Sequence, residues 1–326
     1  MPGMDGLAIF AGSSGKAFAE KICHFVGIGL SRSQIIHFSE GNTYVKACDT
    51  VRGLDVFLVQ PIGLKPNDEF VEILFWADAF KRASARTVTA IIPYFSYAKA
   101  DKKDEPRVSI RARVCADCLE VAGIDRVVTM DLHSPQIQGF FKKPVDNLYG
   151  LPILGSYVKT LMLPDLVVVS PDAGFAKTAR KYAELLNASL AVGDKIRQGH
   201  DEKAEICEVI GAVQGKNALI VDDFTLSGGT LIKMATALKE RGTLKVFVAV
   251  THLLLDEKAV KRVENSPIDL LIGMDTVDNP ALNSSSKVKV ISAAPLIGEA
   301  LIRIQRRESL SSLFTNVNDR VLAHSW

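Results

Sequence analysis

Short apolar segments rich in Val and Ile alternate along the chain with longer stretches in which apolar residues recur every three or four positions. Several short segments are apolar throughout, which is typical of strands covered on both faces of a sheet. The longer stretches have the periodicity of amphipathic helices. This alternation predicts strand–helix–strand units, and therefore an α/β fold with largely parallel sheets flanked by helices.

The pattern gives specific elements and one domain boundary. The predicted strands are Leu7–Ala11, Val56–Gln60, Val88–Pro93, Val127–Asp131, Leu166–Ser170, Ala218–Asp222, Val246–Thr251 and Leu270–Met274. The predicted helices are Phe70–Arg82, Arg111–Val121, Ala176–Leu186, Leu231–Glu240 and Leu296–Arg306. Turn-forming residues at 149–152 separate two halves of similar size, so we expect domains at 1–149 and 150–326. Packing of the C-terminal helix back on the first domain stays open.

Both halves contain a strand that runs into an acidic turn, at Val128–Asp131 and at Ile220–Asp223. The shared pattern suggests a duplicated α/β unit, with coincidence as the alternative.

Composition excludes several classes of protein. The 326 residues are 48% hydrophobic and 23% charged, which is typical of a folded globular chain rather than a disordered one. The 39 Lys and Arg against 37 Asp and Glu give a net charge of +2, which argues against a broad nucleic-acid-binding face. Neither a membrane span nor a signal peptide is recognisable, and five scattered cysteines fit reduced thiols. We therefore expect a cytoplasmic protein with no membrane or nucleic-acid partner.

Chemically active residue types follow several predicted strands. In a parallel sheet, ligands bind beyond the carboxyl ends of the strands. His133 follows one strand, Asp172 another, and the pair Asp222 and Asp223 ends a third. Turns that only connect elements would not need a His and three Asp residues at these strand ends. These four residues are therefore candidate site residues.

The segment 217–241 carries the most information. The predicted strand ends at two carboxylates, Ser227–Thr230 follow them, and a predicted helix begins near Leu231. Glycines let backbone amides approach a ligand, and a helix N-terminus adds oriented N–H groups, which suits a phosphate monoester. Carboxylates can accept hydrogen bonds from vicinal hydroxyls. The segment thus indicates a phosphorylated pentose, with a simple helix cap as the alternative.

The segment Ile220–Thr230 resembles the ribose-phosphate binding loop of the type I phosphoribosyltransferase fold. The rest of the chain is similar, nearly end to end, to the ribose-phosphate pyrophosphokinase family. The segments that carry this resemblance are Phe10–Ser14, Val51–Gly53, Asn67–Asp68, Tyr97–Asp104, Met130–Phe141, Pro144–Leu148, Ser170–Gly174 and Thr251–His252.

The resemblance implies two similar phosphoribosyltransferase-like domains and a transfer of pyrophosphate from ATP to ribose 5-phosphate, giving phosphoribosyl pyrophosphate (PRPP) and AMP. The positions implied to bind ribose 5-phosphate are Asp222, Asp223, Leu226, Ser227, Gly228, Gly229 and Thr230. Those implied to bind ATP are Phe38, Glu40, Asn42, Lys99, Ala100, Asp101 and His133. His133 and Asp172 are implied to associate with Mg²⁺, and Lys195 and Arg197, in the polar segment 194–203, are implied to be catalytic.

This chain departs from the family pattern at four of these positions. Asn42 stands where an acidic residue is common, Lys99 where Arg is usual and Ala100 where Gln is usual. Lys99 keeps a positive charge but loses the planar fork of an arginine, which puts nucleotide preference in doubt. Leu226 replaces an Asp, yet the phosphate contacts come mainly from backbone and hydroxyl groups, so sugar-phosphate binding should survive.

Regulation and assembly are also implied. Many members of the family are hexamers activated by inorganic phosphate and inhibited by ADP, and a homo-oligomer, hexamer or dimer, is expected. The positions that resemble the anion site are Thr50, Arg52, Ser84, Ser309 and Ser311. Arg and hydroxyl side chains are the groups that an oxyanion site requires, although scattered surface hydroxyls are an equal alternative.

Two other functions stay open. A phosphoribosyltransferase would share the sugar-phosphate loop but would consume PRPP together with a nitrogenous base. A non-catalytic regulatory homologue would assemble with active subunits, and the changes at Asn42, Lys99 and Leu226 keep it open. Release of AMP from ATP and ribose 5-phosphate by the isolated protein would separate these possibilities.

Overall fold

The computed structural model describes residues 6–197 and 205–326, with the side chains of 194–207 outside that description. The chain divides into two compact units. Unit 1 comprises Met1–Gly150, Thr276–Asp278 and Ser292–Ser325. Unit 2 comprises Leu151–Asp275, Asn279–Ile291 and Trp326.

Strands and helices alternate through both units. The strands are β1 (Leu7–Ala11), β2 (Ser33–His37), β3 (Thr43–Ala47), β4 (Asp55–Val59), β5 (Thr87–Ile92), β6 (Arg126–Met130), β7 (Val145–Leu148), β8 (Leu166–Ser170), β9 (Ser189–Arg197), β10 (Glu205–Ile210), β11 (Asn217–Thr225), β12 (Val246–Leu253), β13 (Leu270–Met274) and β14 (Val288–Ile291). The helices are α1 (Lys16–Val26), α2 (Pro66–Arg82), α3 (Arg111–Ala122), α4 (Leu151–Thr160), α5 (Ala176–Leu186), α6 (Gly229–Glu240), α7 (Glu257–Glu264), α8 (Ala294–Arg306) and α9 (Asp319–Ala323).

Unit 1 contains a parallel sheet in the order β1-β4-β5-β6-β7 and a separate antiparallel hairpin of β2 and β3. Aromatic side chains fill its core between the sheet and α2. The ring of Phe80 lies 4.8 Å from that of Phe10 and 5.2 Å from that of Trp76, and all three are fully buried. Such rings bury large apolar areas, so they contribute strongly to the stability of this unit.

Unit 2 contains one sheet in the order β10-β9-β8-β11-β12-β13-β14. Its strands pair in parallel except β10, which runs antiparallel to β9. The interior strand β12 is buried at every position, as a strand covered by helices on both faces must be.

The predicted α/β class with largely parallel sheets is confirmed, and each predicted strand and helix is present with its ends within four residues. The pattern missed β2, β3, β7, β9, β10 and β14 among the strands and α1, α4, α7 and α9 among the helices. Within the described residues, no helix is long and apolar enough to cross a membrane.

The two units repeat the same order of elements: a strand, a helix, a hairpin, a strand, a helix, a strand, a helix, a strand, a 3₁₀ turn, a strand and a final helix. The final helices are exchanged. Helix α4 follows the last strand of unit 1 but packs on α5 in unit 2, whereas α8 follows the last strand of unit 2 but packs on α1 in unit 1. A duplicated unit therefore accounts for both halves of the chain.

The exchanged helices share a local sequence pattern. Each has Pro at its second position and Gly at its fifth, at Leu151–Gly155 in α4 and at Ala294–Gly298 in α8. A Cβ on Gly155 would lie 2.3 Å from Leu185 Cδ2, and one on Gly298 would lie 2.7 Å from Phe25 Cδ1. The absence of a side chain at these glycines is what allows each helix to approach its partner.

Candidate active site

The predicted site residues divide between the two units. In unit 2, β8 lies between β9 and β11, so the chain leaves β8 towards one side of the sheet and later returns on the other. Ligands of open α/β sheets bind at this kind of switch point. Strand β11 pairs with β8 only as far as Ile220, opposite Val169, but extends to Thr225. The carboxyl end of β11 therefore projects beyond β8 into the crevice.

The projecting end of β11 carries both predicted carboxylates. Asp223 is 7% exposed, and its backbone N–H donates to Asp222 Oδ1 at 3.0 Å. The Phe224 N–H donates to Asp223 Oδ1 at 2.9 Å. Burial, and after it the charge of Asp223, raise the pKa of Asp222 well above its usual range, with a smaller contribution from the charge of Asp172. The structure thus brings three acidic residues to one edge of the sheet.

A short loop leads from these carboxylates into α6. Gly228 has φ +70°, a backbone conformation that glycine adopts without strain, and its N–H donates to Thr225 Oγ1 at 3.2 Å. The Gly229 N–H donates to Ser227 Oγ at 3.3 Å, and Ser227 and Thr230 are exposed. Because α6 begins here, its first N–H groups and its dipole point towards the loop. The arrangement can bind a phosphate group.

Leu226 occupies the exposed tip of this loop, with 48% of its surface accessible. Its side chain has no hydrogen-bonding group, so this position supplies no third carboxylate to the loop.

Asp172 lies in the turn between β8 and α5. Ser170 Oγ donates to the Asp172 carbonyl at 2.6 Å, and the Phe175 N–H donates to Asp172 Oδ1 at 3.1 Å. These bonds fix the turn at the N-terminus of α5 and leave Asp172 partly exposed.

The donor chemistry at this edge is suitable for Mg²⁺. Carboxylate oxygens are the ligands that this hard cation prefers, and it usually keeps several waters and binds substrate phosphates as well. Among the described residues, no group of three His, Cys, Asp or Glu side chains is placed to hold a metal by itself. The residues therefore fit a magnesium ion that is held jointly with substrate, not one enclosed by the protein.

Lys195 and Arg197 lie on β9, opposite Cys207 and Glu205 of β10. The predicted loop 194–203 thus begins as a strand of an antiparallel hairpin. Residues 198–203 and the side chains of Lys195 and Arg197 lie outside the described part of the chain, so their predicted catalytic role stays a prediction.

In unit 1, Phe38, Glu40 and Asn42 lie in the turn that joins β2 and β3. The Phe38 N–H donates to the Asn42 carbonyl at 2.9 Å, and Asn42 Oδ1 accepts from the Thr43 N–H at 2.8 Å. The amide side chain of Asn42 thus supports the turn. The ring of Phe38 is 44% exposed and Glu40 is also exposed, which leaves both available to a ligand.

Lys99, Ala100 and Asp101 lie at the end of a 3₁₀ turn, Ser96–Lys99. Lys99 is exposed, whereas Ala100 is only 6% exposed. Asp101 Oδ2 accepts from Gln136 Nε2 at 2.6 Å, which ties this turn to the segment after His133. Lys99 and Asp101 are accessible to a ligand, and Ala100 offers it no side-chain contact.

His133 is exposed at the carboxyl end of β6, on a turn that is held from β7. Asp131 has φ +38°, and its Oδ2 accepts from the Gly150 N–H at 2.8 Å. The Leu132 N–H donates to Asn147 Oδ1 at 3.1 Å, and Asn147 is 2% exposed. Asn147 was given no role from the sequence, because its four-residue strand, β7, was not predicted.

The residues of the predicted anion site form two pairs in unit 1. Arg52 Nη1 donates to Ser84 Oγ at 3.2 Å, and Ser309 Oγ donates to Ser311 Oγ at 3.0 Å. These four residues and Thr50 are exposed.

The chain matches the family model for the N-terminal domain of ribose phosphate pyrophosphokinase over residues 7–123. Residues 196–315 match a model described as the phosphoribosyl synthetase-associated domain. The ribose-phosphate pyrophosphokinase of Corynebacterium ammoniagenes is 42% identical over 308 residues, which cover 94% of this chain and 97% of that protein. This chain belongs to the ribose-phosphate pyrophosphokinase family. A second family member, from Wolinella succinogenes, is 43% identical over 95% of this chain and 100% of its own length.

A solved structure supports the same family. The crystal structure of phosphoribosylpyrophosphate synthetase from Mycobacterium smegmatis aligns with a TM-score of 0.87 and 33% identity, covering 93% of this chain and 100% of that one. The predicted family, fold and function are confirmed: the chain is an enzyme of the ribose-phosphate pyrophosphokinase type.

Proposed function

We propose that this ribose-phosphate pyrophosphokinase acts on ribose 5-phosphate and ATP with unit 2 holding the sugar phosphate and unit 1 the nucleotide. The observation that carries the proposal is the projecting end of β11, where two carboxylates precede an amide-lined loop at a helix N-terminus. This arrangement matches a ligand that has a diol at one end and a phosphate at the other.

The sugar phosphate would bind along the path from β11 to α6. The 5-phosphate would replace the hydroxyls of Thr225 and Ser227 as the acceptor of the Gly228 and Gly229 N–H groups. The hydroxyls of Ser227 and Thr230 would donate to it. Asp222 and Asp223 would accept hydrogen bonds from the ribose hydroxyls, directly or through a metal. Because these donors sit on a strand and a helix end, they would hold the anomeric hydroxyl in a fixed direction, which favours attack at a single geometry.

The nucleotide would use residues of unit 1. The exposed ring of Phe38 can stack on adenine, and Lys99 can neutralise a phosphate oxygen as a point charge. Glu40, Asn42 and Asp101 would complete the contacts to the nucleoside, and the exposed imidazole of His133 would contact the phosphates or metal-bound water.

The reaction requires alignment of the two substrates and positive charge around the phosphates. The anomeric hydroxyl attacks the β-phosphorus of ATP and releases its proton to water. The new oxygen–phosphorus bond forms, and AMP leaves with the electrons of the bond that breaks. Lys195 and Arg197 would stabilise the charge that spreads over the transferred and leaving oxygens. Mg²⁺, which Asp172 and His133 would help to hold, supplies further neutralisation of phosphate charge when it is bound.

Assembly, regulation and location remain predictions. A homo-oligomer would be detected by light scattering of the purified chain, and a phosphate titration of activity would test the anion site at Arg52, Ser84 and Ser309. The free thiols of Cys23, Cys48, Cys115 and Cys118 are consistent with a reducing cytoplasm.

The decisive assay supplies the isolated protein with ribose 5-phosphate, ATP and Mg²⁺ and measures AMP and PRPP. Formation of both at equal rates supports the proposal. Consumption of PRPP with a nucleobase, and no AMP release, would instead favour a phosphoribosyltransferase. A protein that is inactive by itself but active when mixed with an active relative would favour a regulatory subunit.

Asp222→Asn and Asp165→Asn form a matched pair, since Asp165 is an exposed acid of the same unit. Asp222→Asn should raise KM for ribose 5-phosphate, and Asp165→Asn should not.

A further inference from the structure

In unit 1, strand β7 carries a buried polar residue, Asn147, at a position where an apolar residue would be expected. Asn147 lies opposite Thr129 of β6, and Thr129 lies opposite Ile92 of β5, so the three side chains form one row on the same face of the sheet. Val145, two residues before Asn147, shares that face and lines a small cavity together with Ile92 and Thr129. The other residues around this cavity are apolar. The packing of the sheet therefore gives no reason for an amide at residue 147.

Only one end of the Asn147 amide is hydrogen-bonded within the described residues. Asn147 is 2% exposed, and its Oδ1 accepts from the Leu132 N–H at 3.1 Å. Its Nδ2 is buried and has no partner among the described residues. The two ends cannot be exchanged, because only the oxygen can accept from the Leu132 N–H. A buried donor without a partner lowers stability, so this unpaired group needs an explanation.

The bond that Asn147 does make supports the turn that carries His133. Asp131 has φ +38°, a strained backbone conformation that persists only where the surrounding structure holds it. The Asp131 N–H donates to the Leu148 carbonyl at 2.9 Å, and Asp131 Oδ2 accepts from the Gly150 N–H at 2.8 Å. Asn147 extends this support to the residue after Asp131, which directly precedes the exposed His133.

Stability by itself does not account for the amide. An apolar side chain at residue 147 would remove the unpaired Nδ2 but would leave the N–H of Leu132 without its acceptor, and Leu132 is 7% exposed. These two effects on stability have opposite signs and similar physical causes. The direction of the turn, in contrast, depends on the bond that would be lost.

We propose that Asn147 is a positioning residue for His133. Its buried amide fixes the turn 131–133 and thereby the direction in which the imidazole meets the phosphates of ATP or metal-bound water. The inference rests on the proposed nucleotide-binding role of unit 1, and it adds a residue that is too deeply buried to touch the nucleotide itself. A turn that is already ordered costs less to immobilise when the ligand binds, so the affinity for ATP depends on Asn147.

The test measures, by calorimetry on the full chain, the Kd of ATP with Mg²⁺ and the Kd of ribose 5-phosphate. Asn147→Leu removes the amide, and Thr129→Val is the matched control, because it removes an unpartnered buried hydroxyl from the same row of the sheet. We expect Asn147→Leu to raise the Kd of ATP roughly threefold to tenfold, which corresponds to one hydrogen bond. The Kd of ribose 5-phosphate should not change, and the Tm should stay within about 2 °C of the wild type. Thr129→Val should leave both Kd values unchanged.

A double substitution tests whether Asn147 acts through His133. Added to His133→Ala, Asn147→Leu should change the Kd of ATP by less than about twofold, because the imidazole that it positions is already absent. The same threefold to tenfold loss in both backgrounds would overturn the inference.

An unchanged Kd of ATP in Asn147→Leu, or an equal loss of affinity for ribose 5-phosphate, would also overturn the inference. If Asn147→Leu does not fold, Asn147→Ala is subject to the same criteria. A wild type that binds both ligands but releases no AMP would instead refute the proposed reaction, while the affinities would still decide the role of Asn147.

Discussion

The carboxylate pair on β11 predicts an unusual dependence of stability on pH. The pKa of Asp222 is raised from its ordinary value near 3.8 to about 8, chiefly by burial and next by the charge of Asp223. Between these values the unfolded chain releases a proton that the folded chain keeps. The contribution of Asp222 to stability is therefore complete below about pH 4 and is lost as the pH rises towards about 8.

The magnitude follows from linkage. One proton gives a slope of about 1.4 kcal/mol per pH unit, which amounts to a few kcal/mol between pH 5 and pH 7. That is a substantial part of the roughly 5–15 kcal/mol that holds a typical protein folded. Asp222→Asn keeps the shape of the side chain but cannot ionise, so it should remove this slope.

The assay compares urea unfolding of the wild type and Asp222→Asn at pH 5, 6 and 7, without divalent cations, because a bound cation would favour the ionised carboxylates. The stability advantage of Asp222→Asn should grow by up to about 1.4 kcal/mol with each pH unit. Asp165→Asn serves as the control and should show a constant difference from the wild type. A constant difference for Asp222→Asn as well would refute the argument from burial and from the neighbouring charge.

Three further predictions concern other parts of the chain. Phe38→Ala should raise KM for ATP roughly tenfold in steady-state kinetics, within the ~1–3 kcal/mol that base stacking contributes. Tyr44→Ala removes an equally exposed ring from the same hairpin and should leave KM unchanged. Gly155→Ala should lower the stability of unit 2 by about 1–3 kcal/mol through overpacking, as measured by thermal melting. Gly29→Ala, which places a Cβ in open space, should have little effect on stability. Lys195→Ala should lower kcat by about 10²–10³ while calorimetry still detects ribose 5-phosphate binding, and an unchanged kcat would remove Lys195 from the mechanism.

Much of the fold could be predicted from apolar patterning, because strands buried on both faces leave a continuous signal. Strands β2 and β3 were missed because they are at most partly buried and carry polar residues without the regular alternation that predicts a strand. The edge strands β7 and β14 are four residues long, too short for periodicity to be recognised. Helix α4 was missed although its Pro and Gly repeat those of α8, which was predicted. Comparison of the two segments would have revealed the duplication.

The site was predicted unevenly for a physical reason. Asp222, Asp223 and the glycine-containing loop are contiguous in sequence, so spacing alone indicated a ligand that has both a phosphate and a diol. The hydrogen bonds that Glu72 of α2 accepts from the N–H and the hydroxyl of Ser13 could not be predicted, because the two residues are 59 positions apart. Their signal was a glutamate at a buried position of an amphipathic helix, where an apolar residue would be expected.

The exchange of α4 and α8 has a consequence for synthesis on the ribosome. The helix that covers α1 of unit 1 is encoded near the end of the chain, and Arg320, still later, donates to the Phe25 carbonyl at 2.6 Å. Unit 1 is translated first but cannot cover its first helix until α8, which follows the last strand of unit 2, has been translated. A premature stop near residue 290 would therefore leave the apolar face of α1 open to water. Loss of the residues after 290 would thus destabilise the first helix of unit 1.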